Sequence, residues 1–584
     1  RTNRRDMGKK INFGADADYY YNRGIDKAEE GKDIEAISDF YLSLELDPGN
    51  IYTMSEMAYS YYELGLTEQA IKIYYRILDA DRYSDIAYIG LMQCFVRENR
   101  IVSALYYLNM GLEYGALDTD YLPTTEITEE QQQTAVPPEL RVLHAGDKTG
   151  VVGVARTIAA SGDYKVARKM LEEVSEKSEQ YIDAGAYLSF LSLAEGNYEE
   201  CEAKAKEVLA KDPKNACAYC SLIVSCLSRG DVDAAESYMY DLDAVDVRDK
   251  ENVMRVAGCM AEIGNDELCA KYFGRLFDIT PYDPDSTLMY ALALFNLHKR
   301  DDARSYMTAL RRLYPDNGTI AYYARLMNEP NVNHIKLNVS IPRREIQNRI
   351  KYIDERFAEL GDAEKVADAM FDDEELYEDV MWLLFSNEYS LASHIGSFLC
   401  QDELWQPFIL DRLIDPDVPP AVKKDYLLSY LKYSKIKKFS LLVGDVMLFF
   451  SPRMPKCSDD INIQDAYWNA YATCAFVTQS FQPKLNKIYK KIAEATAKPD
   501  FKYDEVKSAV LAAVMTRLSG AHSIFYDKES CCGIFDIEKR DYDEYIKRFG
   551  LEEEEAAAER RLAAYNKKKA DEHVKRTEEK ENKQ

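Results

Sequence analysis

With 101 acidic against 74 basic side chains in 584 residues, a net charge of −27, the chain lacks the dense Lys/Arg surface that coating nucleic acid or an anionic membrane requires. Its twelve cysteines are scattered through apolar helical contexts without disulfide-framework spacing, which points to a reducing, cytoplasmic setting. The longest apolar runs, such as 508–515, fall far short of the ~18 residues of a membrane span, and the basic 1–10 stretch leads into no apolar core, so neither a span nor a secretory signal is expected.

Residues 1–16 read as an N-terminal extension. From Ala17 onward small residues recur every 34 positions: Ala36, Ala70 and Ala104, then Ala167, Cys201, Ala235, Cys269 and Ala303. Five residues before most of them stands a glycine, Gly31, Gly65, Gly162, Gly196, Gly230 or Gly264, with Asn99 and His298 in the two remaining places. Glycine there suits a left-handed turn between two helices. Pro48, Pro213, Pro281 and Pro315 follow at a fixed offset and end the second helix of each pair, because proline has no N–H and disfavours helix in the residue before it. Large apolar residues, Phe40, Tyr74, Leu108, Leu171, Met239, Phe273 and Met307, occupy another constant offset and point to a core. A 34-residue period of this kind means helix pairs that stack, since one pair cannot bury its own apolar face.

These residues resemble the tetratricopeptide repeat, with small residues at its positions 8 and 20, glycine near 15, a large apolar residue at 24 and proline at 32. Eight repeats begin at Ala17, Ile51, Asp85, Lys148, Ile182, Ala216, Lys250 and Pro284. The pattern departs in the third and fourth, where Met92 takes position 8 and Ala116 and Glu179 replace the proline. The predicted fold class is all-α: an α-solenoid of about eight such pairs, then a second, mostly helical domain with one β-hairpin.

Between repeats 1–3 (17–116) and repeats 4–8 with a capping helix (148–328) lies 117–147, a polar stretch containing Pro137 and Pro138, read as a flexible insertion. Residues 329–343 read as a linker and 344–550 as a helical domain without the period. The exception there is 439–443 and 446–450 around Gly444–Asp445, a two-residue hairpin turn. The Glu- and Lys-dense 551–584 reads as a charged, solvated tail. At 530–549 a weak helix-turn-helix-like pattern appears, but Asp536 stands where the turn wants glycine, and Asp541, Asp543 and Glu544 would face phosphates and repel them.

No catalytic, cofactor or metal motif emerges. Gly146-Asp147-Lys148-Thr149 lacks the upstream glycine and the Gly-Lys pair of a phosphate loop. The six histidines have no partner at i+4, and Cys217 and Cys220 lie inside a repeat helix whose register already accounts for small apolar residues.

The resemblance implies a concave wall made by the first helix of each pair, and here that wall is aromatic and aliphatic: Tyr21, Ile25, Tyr52, Tyr59, Tyr62, Ile89, Phe190, Leu193, Leu292 and Phe295. Family members that clamp the acidic C-terminus of heat-shock chaperones use Lys, Asn and Arg there, so that partner is not expected. The reading is a non-enzymatic scaffold or adaptor that binds protein or peptide segments in this groove, with no cofactor. The groove filled by the chain's own helices, or by a homo-oligomer, is the alternative use of the same surface. The alternative function is a regulator whose 530–549 region contacts nucleic acid.

Overall fold

The computed structural model describes residues 16–117, 151, 152, 155, 159, 164–386, 388–435, 437–497 and 506–581, with side chains of the last helix as far as Lys567. The insertion and most of the fourth repeat's first helix therefore lie outside the described residues. Among those described are 28 α-helices and one two-stranded sheet.

The repeat helices are α1 (Ala17–Glu29) and α2 (Asp33–Leu46), α3 (Ile51–Glu63) and α4 (Thr67–Ala80), and α5 (Asp85–Arg97) and α6 (Ile101–Glu113). After the insertion come α7 (Tyr164–Glu172), α8 (Tyr181–Ala194) with α9 (Tyr198–Lys211), α10 (Ala216–Ser228) with α11 (Val232–Ala244), α12 (Lys250–Ile263) with α13 (Asp266–Ile279), and α14 (Pro284–Asn296) with α15 (Arg300–Leu313). The capping helix is α16 (Gly318–Met327). Start signals follow the period too. Asp16, Asn50 and Ser84, and later Asn215, Asp249, Asp283 and Asn317, each accept a backbone N–H of the first turn, so a helix begins every 34 residues. All eight small residues at position 20 are fully buried. A Cβ added at Gly24 would lie 2.5 Å from the Phe40 ring, so the pairing of α1 with α2 needs glycine at that point. The two non-glycine residues at position 15 take the same left-handed backbone as the glycines, at φ 57° for Asn99 and 62° for His298.

The chain divides into two compact units that do not follow the repeat boundaries. One, the array unit, comprises 16–67 and 151–348; the other, the hairpin unit, comprises 68–117 and 349–581. In the array unit α8 to α11 pack in sequence order, α12 packs on α10, α12 to α15 again follow the sequence, and α2 packs against α15. There the Tyr61 hydroxyl donates to the Leu313 carbonyl at 2.5 Å, and Arg312 lies 3.4 Å from Glu35. The first repeat is thus joined to the last.

The hairpin unit continues from α17 (Arg343–Leu360) through α18 (Ala363–Asp372), α19 (Glu374–Leu384), α20 (Tyr389–Leu399), α21 (Gln406–Leu413) and α22 (Pro420–Tyr433). Strands β1 (Phe439–Val443) and β2 (Val446–Phe450) pair antiparallel with Phe439 opposite Phe450, their rings stacked at 4.9 Å. Then follow α23 (Ile461–Ala475), α24 (Gln482–Thr496), α25 (Ser508–Ser519), a short 3₁₀ turn, α26 (Lys528–Ile534), α27 (Lys539–Phe549) and α28 (Glu552–Glu581). The long apolar run at 508–515 becomes α25, buried on every side by α23, α24, α26, α27 and α28, as a helix without a polar face must be.

Candidate functional site

The expected wall residues fall into two kinds. On α3, Tyr52 is 72% and Tyr59 54% exposed, while Tyr62 is half-buried. Tyr21 and Ile25 on α1 are half-buried, with the Tyr21 ring 6.3 Å from Phe40. Burial comes first among the causes that raise the Tyr21 hydroxyl, followed by the nearby Glu56 carboxylate and Tyr52. Burial alone pushes the Glu56 carboxyl up. The Tyr59 hydroxyl is raised chiefly by its bond to Glu63. On α3, then, Tyr52 and Tyr59 alternate with Glu56 and Glu63, and Tyr21 of α1 lies close to Glu56. Further along the array unit Phe190 of α8 is 44% exposed and stacks on Tyr187 at 5.5 Å, beside a half-buried Leu193. Ile89 of α5 is half-buried and belongs to the hairpin unit.

Leu292 and Phe295 on α14 are different: they are 0% and 2% exposed. The segment read as a linker is an ordered strap attached to that helix. Asn296 accepts the Ile335 N–H at 2.8 Å and donates to the Ile335 carbonyl at 2.9 Å, so its amide grips one peptide unit from both sides. The same amide donates to Asp266, whose carboxylate also bonds His334. Tyr323 donates to the Ser340 carbonyl, Arg300 donates to Asn333, and Ile335, Leu337 and Ile341 are buried. The chain itself covers this end of the array. The two α14 residues offer no surface in the isolated chain, and the strap is fastened to the same helix one residue beyond Phe295, at Asn296.

The hairpin unit contains a second gripped segment that the sequence showed only as a turn. Asp445, at the hairpin tip, is bound by Arg100 through two nitrogens and by Ser103 at 2.5 Å. Its backbone carbonyl accepts the hydroxyls of Tyr75 at 3.2 Å and Tyr107 at 2.5 Å, and Tyr107 in turn accepts the Met447 N–H. Beneath β1 the buried Lys423 ammonium donates to the Leu442 carbonyl at 2.9 Å, and burial pushes its pKa down to about 7. Arg100 and Asp445 are complementary charges hundreds of residues apart, and no local pattern links them. Only the Gly-Asp turn was legible beforehand.

The 530–549 region forms α26 and α27 with Cys531, Cys532, Tyr542, Tyr545 and Phe549 buried, and Asp536 turns at φ 50°. Asp541 and Asp543 are held by Lys507 and Lys528. Contrary to a wholly solvated tail, the first turns of α28 are packed: Leu551 and Ala558 are buried, and Glu555 and Glu559 bind the fully buried Arg517. A buried guanidinium requires such partners, and they were hidden in a run of like charge.

The sequence profile of the tetratricopeptide repeat matches residues 52–81, the stretch that forms α3 and α4. No curated protein matches the sequence. Among solved structures, yeast Tom70 is 13% identical, covering 70% of this chain and 93% of its own, at a TM-score of 0.26. A tetratricopeptide repeat protein from Parabacteroides merdae is 13% identical, covering 48% and 98%, at 0.21. The Cut9–Hcn1 hetero-tetramer of the APC/C is 12% identical, covering 87% and 97%, at 0.22. Scores this low carry no functional inference. The 34-residue register is thus realised in helix pairs, turns and caps, and at 52–81 the chain carries the tetratricopeptide repeat. Among the described residues no helix is long and apolar enough to cross a membrane.

Proposed function

We propose that this chain is a non-enzymatic scaffold that binds extended protein segments on its first-helix face, and that the preferred segments carry cationic and apolar side chains together. The observation that supports this is the surface of α3, where Tyr52 and Tyr59 remain exposed on either side of the half-buried Glu56. Tyrosines give apolar contact area at low entropic cost and attract cations to their faces, and carboxylates beside them add charge. The strap supports the same reading from within the molecule, since Asn296 holds a non-helical backbone by both of its polar groups. Ile25, Tyr21 and Tyr62 would extend the α1–α3 surface, and Phe190 and Leu193 would form a second contact on α8.

The test is selection from a random displayed peptide library on the full chain, repeated with Y52A/Y59A. Peptides pairing Lys or Arg with aromatic or branched residues should be enriched and should bind the double variant more weakly by ~2 kcal/mol or more, as interface aromatics commonly contribute. The melting temperature should stay near that of the parent. Enrichment of acidic peptides would overturn the preference for cationic segments, and a variant that melts early yet binds equally would show that these tyrosines serve the fold instead.

A further inference from the structure

Away from the repeats, the hairpin unit holds a cleft of about 800 Å³ between α24, the end of α25 and the first turns of α28. Lys484, Lys487 and Lys491 line it from α24 at i, i+3 and i+7, hence from one helix face, and Arg560 and Arg561 line it from α28. Five cations therefore meet two carboxylates, Glu553 and Glu554, in a chain whose overall charge is −27. Ion pairing within the fold does not use them up. Lys491 pairs with Glu554, and Lys484 lies 3.5 Å from the Gly520 carbonyl. Arg561 donates through one nitrogen to the Leu518 carbonyl at 3.0 Å, while its buried Nε has no hydrogen-bond partner. Among the described residues no carboxylate pairs with Lys487 or Arg560.

Like charges gathered around a cavity repel, and an anion seated among them relieves that repulsion. The lining is not only charged. Ile488 and Leu518 contribute apolar surface, and the Tyr526 ring stands edge-on to Tyr565 at 5.9 Å. We propose that this cleft binds a nucleoside polyphosphate, with its phosphates among Lys484, Lys487 and Arg560 and its base against Tyr526 and Ile488. The volume lies within the range of small-ligand sites, and charge-assisted bonds to phosphate from Lys and Arg are among the stronger polar contacts. An inorganic anion alone would leave the aromatic and apolar part of the lining unused.

The experiment is calorimetric titration of the full chain, in physiological salt, with ATP, inorganic tripolyphosphate and adenosine as separate ligands. ATP should bind more tightly than either part. K487A/R560A should weaken ATP by roughly tenfold or more while leaving the melting curve of the free protein unchanged, because each charged hydrogen bond lost to solvent-accessible phosphate is worth at least a factor of that order. Y526A should weaken ATP but not tripolyphosphate. Absence of binding at millimolar ATP, binding indifferent to K487A/R560A, or tripolyphosphate binding as tightly as ATP would each overturn the assignment. So would a single-stranded oligonucleotide that binds more tightly than ATP and is lost in the same variant, which would make the cleft part of a surface for an extended polyanion.

Discussion

Gly264 ends α12 at φ 75° with nothing within 4 Å of where a Cβ would be, so its role is conformational and no packing argument competes. G264A should cost ~1 kcal/mol, the penalty of holding an L-residue in the left-handed region less the entropy that alanine saves in the unfolded chain. His298 occupies the equivalent place at φ 62°. H298G should therefore be neutral or stabilising by a few tenths of a kcal/mol, against the usual trend for glycine substitutions. Urea unfolding of the two variants checks the pair, and equal losses would mean that φ does not decide these turns. Lys423 gives a different residue-scale expectation. It is 3% exposed, and its folded pKa of about 7 lies below the ~10.4 of a free lysine. Between those values the unfolded chain binds more protons, so stability rises with pH through this window, whereas below pH 7 both states are protonated and the full cost of the buried ammonium remains. In K423M that slope vanishes. The stability of the parent relative to K423M should climb from pH 7 to pH 9 and stay level between pH 5.5 and 6.5. A difference constant across the whole range would mean that the ammonium is not buried in solution.

Among the elements, the hairpin shows how much of a fold can be read locally. Two apolar runs flanking Gly444–Asp445 sufficed to place β1 and β2, since a two-residue turn between short apolar runs is a signal that acts over a few residues. Its anchoring could not be read, because Tyr75, Arg100, Ser103 and Tyr107 reach Asp445 across more than 300 residues of sequence. The strap at α14 was invisible for a related reason: Pro330, Pro342 and mixed polarity resemble any connector, and its order comes from Asn296 and from buried Ile335 and Leu337. For the binding wall, position in the repeat was legible and exposure was not. Tyr59 and Leu292 occupy the same place on their first helices, yet only Tyr59 faces solvent. The hairpin's dependence on its anchors is measurable. Y107F removes a donor to the Asp445 carbonyl and leaves the Met447 N–H without that acceptor, so it should cost ~1–3 kcal/mol. Y75F, which leaves Tyr107 on the same carbonyl, should cost only ~0.5–1.5 kcal/mol. Chemical denaturation that reversed this order would place the tip elsewhere.

For the whole molecule, the period gives the repeat count but not the partition of the chain. Residues 68–117 carry the repeat signature in sequence and are packed with 349–581, while 16–67 carry the same signature and pack with 151–348. Repeat patterning specifies how a helix pair stacks and says little about which surface it stacks on, because every pair presents similar small and large residues at the same offsets. The choice falls to singular contacts, Tyr61 with Leu313 in one unit and Arg100 with Asp445 in the other. Truncation after residue 343 separates these two sets. The shortened chain retains α1 to α3, α8 to α16 and the strap with Asn296, so the array unit keeps its internal hydrogen bonds. It loses the hairpin, and with it every partner just named for Tyr75, Tyr107, Arg100 and Ser103, leaving buried polar groups and apolar area of α4 and α6 uncovered. Native-state hydrogen exchange should then show amides of 85–113 exchanging faster by about two orders of magnitude than in the full chain, with 181–313 within a few-fold of their original protection. If instead both regions lost protection together, the two units would unfold as one cooperative body. If neither did, α4 to α6 would be stabilised by their own repeat packing and the hairpin would be a passenger.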